Sequence, residues 1–102
     1  MILIYTTCKD TREAQTLAER IIKEKLAACV NIWPIGSIYI GEDGNLKEEK
    51  EGAMLIKTEE KKLQPIEDFI TENHSYNVPC IVTVNSWRIN RAYKEWMAKI
   101  IE

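Results

Sequence analysis

Histidine, phenylalanine and cysteine are all scarce in this chain of 102 residues. The only histidine, His74, excludes a histidine-rich metal cage and a pair of imidazoles that share acid and base roles. Three cysteines, Cys8, Cys29 and Cys80, are odd in number and lie outside any Cys-x-x-Cys spacing, so we expect neither a disulfide framework nor a structural zinc site. Any metal or ligand site must therefore combine single residues that are distant in the sequence.

The chain also lacks an excess of one charge and any long apolar run. Fourteen basic and sixteen acidic residues are interspersed, which gives a net charge of -2 and favours neither nucleic acid nor an anionic membrane as a partner. Residues 1–5 lack the basic flank and the length of a signal sequence, and no later segment approaches a membrane span. We expect a cytoplasmic protein with a single domain over residues 1–102.

Apolar periodicity predicts four strands and three helices. The first strand, over 2–7, is expected to be buried on both faces, and a helix follows from a capping box at Asp10 and Glu13. The next two strands run over 28–33, resuming over 37–40, and over 46–56. A helix capped by Thr58 ends near Asn73, and a strand over 78–87 precedes a helix capped by Asn90. This βαββαβ order with an added helix predicts an α+β, ferredoxin-like sandwich with helices on one face of an antiparallel sheet.

The predicted hairpin from Ser37 to Lys57 is too long to be covered by so small a domain. Pro34 predicts an edge position or a bulge in its first strand, because proline cannot donate to a strand ladder. An exposed strand edge of this length invites pairing with another chain. We therefore expect the protein to associate with copies of itself.

His74 begins a segment, residues 74–79, that lies where a helical pattern stops and a strand pattern starts. Tyr76 and Pro79 would give this segment a semi-rigid, partly apolar wall of the kind that lines a pocket. A role for His74 in ending the helix stays open. Cys29 lies between alanine and valine on a strand and is expected to be inert packing rather than a nucleophile paired with His74. No enzyme is predicted.

Five spaced motifs together resemble the CutA family, the divalent-cation tolerance proteins. They are Tyr5-Thr6-Thr7, the run from Glu24 to Asn31, Ser37-Ile38-Tyr39, Glu51 with Lys57-Thr58, and the run from His74 to Pro79. The resemblance implies a fold similar to the PII signalling proteins and a tight homotrimer assembled through β-hairpins. It also implies a role in tolerance toward divalent metals, with copper binding in some members.

The resemblance leaves three hypotheses for the site. In the first, a trimer responds to copper or another divalent metal, and His74 with Cys8 or Cys29 contacts the ion. In a copper-binding relative, a cysteine stands at the position of Thr6 and histidines stand at the positions of Asn73 and His74. In the second, a PII-like regulatory trimer holds a small anionic or aromatic ligand in a cleft between subunits. The residues expected in that cleft are Tyr39, Glu51, Lys57, His74 and Tyr76, with Thr6 at the end of the first strand. In the third, a structural trimer anchors a partner.

Four further positions depart from the family pattern. Ser75 replaces a usual proline, Cys80 replaces a usual acidic residue, and Ile40-Gly41 stands where many relatives have a tryptophan pair. We expect the first two changes to relax the rim of the pocket and the third to alter packing at the hairpin tip.

Overall fold

A computed structural model describes residues 1–101 of the chain. Its elements are β1 (Ile2–Cys8), α1 (Thr11–Lys23), β2 (Cys29–Ile40), β3 (Leu46–Thr58), a 3-10 turn (Glu60–Lys62), α2 (Leu63–Asn73), β4 (Ile81–Asn85) and α3 (Arg91–Ile101). The strands form one antiparallel sheet in the order β2-β3-β1-β4. This arrangement confirms the predicted α+β, ferredoxin-like sandwich. Over residues 1–101, every helix is too short or too polar to cross a membrane.

The main core lies between one face of the sheet and helices α1 and α2. Strand β1 alternates buried and half-buried residues, so it is not buried on both faces as predicted. The buried members of this core include Ile4, Cys8, Met54 and Ile56 from the sheet, and Ala14, Leu17, Ile21, Ile66 and Ile70 from the helices. The opposite face of the sheet carries half-exposed apolar side chains, and α3 covers only one end of the sheet, where Met97 and Ile101 pack with Ala28.

The turn between β1 and α1 brings the end of the strand close to the start of the helix. Asp10 caps α1 by accepting a hydrogen bond from the Glu13 amide at 2.8 Å, and Glu13 accepts one from the Lys9 amide at 3.0 Å. The predicted N-cap at Asp10 is therefore confirmed and contributes about 1 kcal/mol, but Glu13 accepts from the Lys9 amide and not from the Asp10 amide that a capping box would use. Gly52 of β3 allows this turn to pack closely, because a Cβ atom there would lie 2.5 Å from the Asp10 carbonyl oxygen.

Several predicted boundaries were wrong. Thr58 does not cap α2: its hydroxyl donates to the Leu26 carbonyl at 2.6 Å, and the helix begins only at Leu63 after the 3-10 turn. Strand β4 is shorter than predicted, since it runs only over Ile81–Asn85. Strand β2 is continuous through Pro34, which pairs with Gly52 at the edge of the sheet. The edge position of Pro34 was thus predicted correctly, and the interruption was not.

The β2–β3 hairpin projects beyond the rest of the sheet as predicted. β1 ends where Cys8 pairs with Gly52, whereas β2 and β3 continue to pair as far as Ile40 and Leu46. Among the described residues, no third strand flanks this outer half, which we call the arm (residues 35–51). The arm makes the molecule elongated, with extents of 48, 25 and 21 Å.

Candidate functional site

His74 follows the last residue of α2 and fixes the next segment to β1. Its Nε2 lies 2.8 Å from the Thr7 carbonyl oxygen, and its Nδ1 lies 2.9 Å from the Tyr76 amide nitrogen. A carbonyl oxygen can only accept and an amide N–H can only donate, so the ring carries its proton on Nε2 and its lone pair on Nδ1. The imidazole therefore connects the end of β1 to residues 74–76.

Glu13 makes a second connection to the same segment. Its Oε1 accepts from the Lys9 amide at 3.0 Å and from the Ser75 hydroxyl at 2.9 Å, and its Oε2 accepts from the Ser75 amide at 2.9 Å. Partial burial by itself would raise the pKa of Glu13. The hydrogen bonds from Lys9 and Ser75, with a smaller effect of His74, together outweigh burial, so the pKa lies below its usual value. Ser75 thus binds the Glu13 carboxylate through both its amide and its hydroxyl.

Cys8 is the third member of this group and is fully buried at the end of β1. Its Sγ lies 3.7 Å from the Met54 Sδ, which is a weak contact between two sulfur atoms. Burial, and then the negative charges of Glu13, Asp10 and Glu51, raise the pKa of the Cys8 thiol to about 12. In the absence of a bound cation, Cys8 is therefore a protonated thiol at neutral pH.

Cys8, Glu13 and His74 form one cluster, which we call the Cys-Glu-His cluster. Each offers one potential ligand atom, and these atoms all lie within 4.8 Å of one another. The sequence predicted the use of Cys8 and His74 but missed Glu13, whose capping-box position gave it a sufficient local explanation. Its second role depends on a contact with Ser75, 62 positions along the chain.

Cys29 is not brought to His74. Cys29 pairs with Lys57 and Cys8 pairs with Gly52, so they lie five residues apart along β3, or about 17 Å. Within one subunit, Cys29 therefore cannot share an ion with His74. Its side chain lies instead near Asn31 and Tyr93.

Three of the predicted cleft residues do meet. Tyr39, Glu51 and Tyr76 line an open cleft of about 540 Å³ that extends along the arm from Glu51 to the hairpin turn at Glu42. The other lining residues are Thr7, Glu49, Val78 and Cys80. The Tyr76 hydroxyl donates to the Glu51 carboxylate at 2.6 Å, and the Tyr39 hydroxyl donates to the Glu49 carboxylate at 2.7 Å. Burial and the Glu51 contact raise the pKa of Tyr76, so its phenol remains a donor. His74 stacks on Tyr76 with ring centroids 4.9 Å apart.

Within one subunit, Thr6 and Lys57 lie outside this cleft. Thr6 is fully buried on the helix-facing side of β1, and Thr7, which points the other way, lines the cleft instead. The Thr6 hydroxyl has no hydrogen-bond partner among residues 1–101. Lys57 is near the opposite end of β3, where its Nζ lies 5.7 Å from the centroid of the Tyr93 ring.

The chain matches the family model for the CutA1 divalent ion tolerance protein over residues 2–100. It is 36% identical over 99 residues to a divalent-cation tolerance protein CutA of Archaeoglobus fulgidus, covering 97% of this chain and 96% of that protein. A second relative with this description, from Thermococcus kodakarensis, is 34% identical over 100 residues, with 98% and 95% covered. The chain belongs to the CutA1 family, as the resemblance predicted.

Solved structures agree with this assignment. The CutA structure from A. fulgidus, described as that of a periplasmic protein, superposes on this chain with a TM-score of 0.94 at 36% identity. The superposition covers 100% of each chain. The CutA1 structure from Pyrococcus horikoshii gives a TM-score of 0.95 at 30% identity, with 100% of this chain and 99% of that chain covered. The family is described by divalent ion tolerance and not by a catalysed reaction.

Proposed function

We propose that this protein supports divalent-cation tolerance as a homotrimer that binds a soft divalent ion, such as copper or zinc, at the Cys-Glu-His cluster. The observation that carries the proposal is the meeting of sulfur, nitrogen and oxygen donors within 4.8 Å. Thiolate and imidazole ligands favour copper and zinc, whereas magnesium and calcium favour sites made of oxygen alone. We propose no catalytic role for the site.

Two features of the surroundings fit an ion at this place. The His74 Nε2–H already donates to the Thr7 carbonyl, and metal-bound histidines commonly donate their second N–H to such an oxygen. The buried Thr6 hydroxyl, which has no partner among the described residues, lies two residues before Cys8 on the same side of β1. Three protein ligands leave a fourth position for water, as in an open tetrahedral site.

The proposal of self-association is supported by the open face of the sheet and by the arm. Trp33, Val82 and Val84, on the face away from α1 and α2, are 39%, 46% and 52% exposed. At the arm, Ile38 and Leu46 are 68% and 67% exposed. Exposed apolar surface in these two regions is typical of an interface, and further copies of the chain would bury it. The number of three copies comes from the family resemblance, and sedimentation equilibrium would measure it.

The cytoplasmic location also stays a prediction, and the A. fulgidus relative is described as periplasmic. Cell fractionation followed by immunoblotting, with one marker protein for each compartment, would decide between the two locations.

Calorimetric titration of zinc into purified, reduced protein tests the site. We expect one ion per subunit for the wild type and binding at least tenfold weaker for Cys8→Ser and for His74→Ala, since each variant removes one ligand. Cys29→Ser is the matched control, because it changes another strand cysteine about 17 Å away and should leave the affinity unchanged. Circular dichroism checks that each variant is folded. Equal, weak binding by all four proteins would refute the site.

A second candidate function is the binding of a small ligand in the cleft lined by Tyr39, Glu51 and Tyr76. It is favoured by their meeting in one concave surface of about 540 Å³. The lining includes three glutamates and no basic residue within the described part of the chain, so a cationic or aromatic ligand suits it better than the anionic ligand expected from the sequence. Thermal-shift measurements with small organic ammonium compounds and with nucleotides would test this, since a specific ligand raises the melting temperature.

A further inference from the structure

The segment from His74 to Tyr76 is held between the Cys-Glu-His cluster and the cleft by three sets of contacts. The Tyr76 amide donates to the His74 Nδ1, Ser75 donates twice to the Glu13 carboxylate, and the Tyr76 hydroxyl donates to the Glu51 carboxylate. The first two sets use the atoms that would bind the ion, and the third closes one side of the cleft.

An ion on His74 removes the acceptor of the Tyr76 amide, whichever ring nitrogen it uses. If the ion binds Nδ1, it takes the lone pair that now accepts from Tyr76. If it binds Nε2, the ring proton moves to Nδ1, where it opposes the Tyr76 N–H and leaves no lone pair. In both cases this hydrogen bond is lost.

The same competition applies at Glu13. All three hydrogen bonds to its carboxylate are 2.9–3.0 Å long, and two of them come from Ser75. An ion that takes Oε1 competes with the Ser75 hydroxyl, because the Lys9 amide and that hydroxyl already use both lone pairs of this oxygen, whereas Oε2 keeps one lone pair free. Ion binding therefore opposes the His74 contact in every case, and it also opposes one Ser75 contact when the ion takes Oε1.

We infer that ion binding at the Cys-Glu-His cluster and the anchoring of Tyr76 against Glu51 oppose each other, so that a bound cation opens the cleft. This inference rests on the proposed metal site. The coupling is reciprocal: any change that weakens the Tyr76–Glu51 contact must strengthen ion binding. A cation that binds at the Cys-Glu-His cluster would thereby change the shape of the cleft beside the arm.

The test measures zinc affinity in the Tyr76→Phe variant. This substitution deletes the hydroxyl that donates to Glu51 and changes no charge near the cluster, so we expect zinc to bind about threefold to tenfold tighter. Tyr39→Phe is the matched control, because it deletes the equivalent 2.7 Å hydrogen bond to Glu49 on the arm. Within the described residues, Tyr39 makes no hydrogen bond to residues 74–76, so its variant should bind zinc as the wild type does.

Amide hydrogen exchange supplies a second readout on the wild type. Saturating zinc should accelerate exchange at the Ser75 and Tyr76 amides while leaving the amides of α2 unchanged or slower. Unaltered zinc affinity in Tyr76→Phe, or slower exchange at these two amides with zinc, would overturn the coupling while leaving the metal site intact. An absence of zinc binding in the wild type would overturn both, so the two failures are distinguishable.

Discussion

Replacing Glu13 with glutamine tests how strongly the 74–76 segment is fixed to the start of α1. The amide oxygen of the glutamine can still accept from the Lys9 amide and the Ser75 hydroxyl. Its NH₂ group then faces the Ser75 N–H, so the third hydrogen bond is lost. A hydrogen bond to a charged group contributes about 1.5–3 kcal/mol, and partial exposure places Glu13→Gln at the lower end, near 1.5 kcal/mol.

Thermal unfolding of metal-free protein at pH 7 and fixed protein concentration measures this loss. For a domain of this size, about 1.5 kcal/mol corresponds to a decrease in melting temperature of roughly 6–12 °C. Glu19→Gln is the matched control on the same helix, because Glu19 is exposed and accepts only from the Gln15 side chain. It should change the free energy of unfolding by no more than about 0.5 kcal/mol.

The pH dependence of the same difference provides an independent check. The pKa of Glu13 is lower in the folded protein than its ordinary value of 4.5, so the unfolded chain takes up a proton first as the pH falls. The advantage of wild type over Glu13→Gln should be complete at pH 7, begin to shrink near pH 4.5 and decline further as the pH falls through the folded pKa. Equal stability of the two proteins at pH 7, or an advantage that persists unchanged in acid, would refute the reasoning.

Three further predictions concern the turn regions and the thiol. Lys25 has a φ of 57°, so Lys25→Gly should raise the free energy of unfolding by about 1 kcal/mol. Glu19→Gly, in the interior of α1, should lower it by about the same amount, and urea unfolding measures both. Gly52→Ala should lower the free energy of unfolding by about 2–3 kcal/mol, because the added Cβ would lie 2.5 Å from the β1–α1 backbone. Gly36→Ala is the control: the Cβ added there would have no described atom beyond its chain neighbours within 4 Å, so the free energy of unfolding should change by less than about 0.5 kcal/mol. Because the pKa of Cys8 is raised to about 12, zinc must displace the thiol proton, and zinc affinity should rise about tenfold per pH unit between pH 7 and 8.5. An affinity that calorimetry finds to be independent of pH would contradict thiolate ligation.

The order of strands and helices could be predicted from the sequence because each element has its own apolar period. The local features that failed are those decided by contacts between elements. Thr58 has the chemistry of a helix cap, but its hydroxyl is taken by the Leu26 carbonyl, 32 positions earlier. Pro34 looks like a break in a strand, yet at the sheet edge it costs β2 little, since its pairing with Gly52 persists.

The candidate site was only partly predictable for the same reason. Cys8 and Cys29 are equivalent as isolated cysteines, and only the register of β3 with its two neighbours separates them by about 17 Å. Thr6 and Thr7 differ by one position, which places one in the core and the other in the cleft. β1 pairs with β3, which lies 44 to 56 positions further along the chain, so the sequence could propose these residues but not choose between them.

In a single subunit, the projecting arm should unfold separately from the core. The sheet beneath α1 and α2 shares one core and should melt as a unit, whereas residues 35–51 form a two-stranded ribbon with exposed apolar side chains and, over the described residues, no flanking strand. Isolated ribbons of this kind are marginal in water. If further copies cover the arm, as proposed, dilution should therefore loosen the arm before it affects the core, and the arm carries all three glutamates of the cleft.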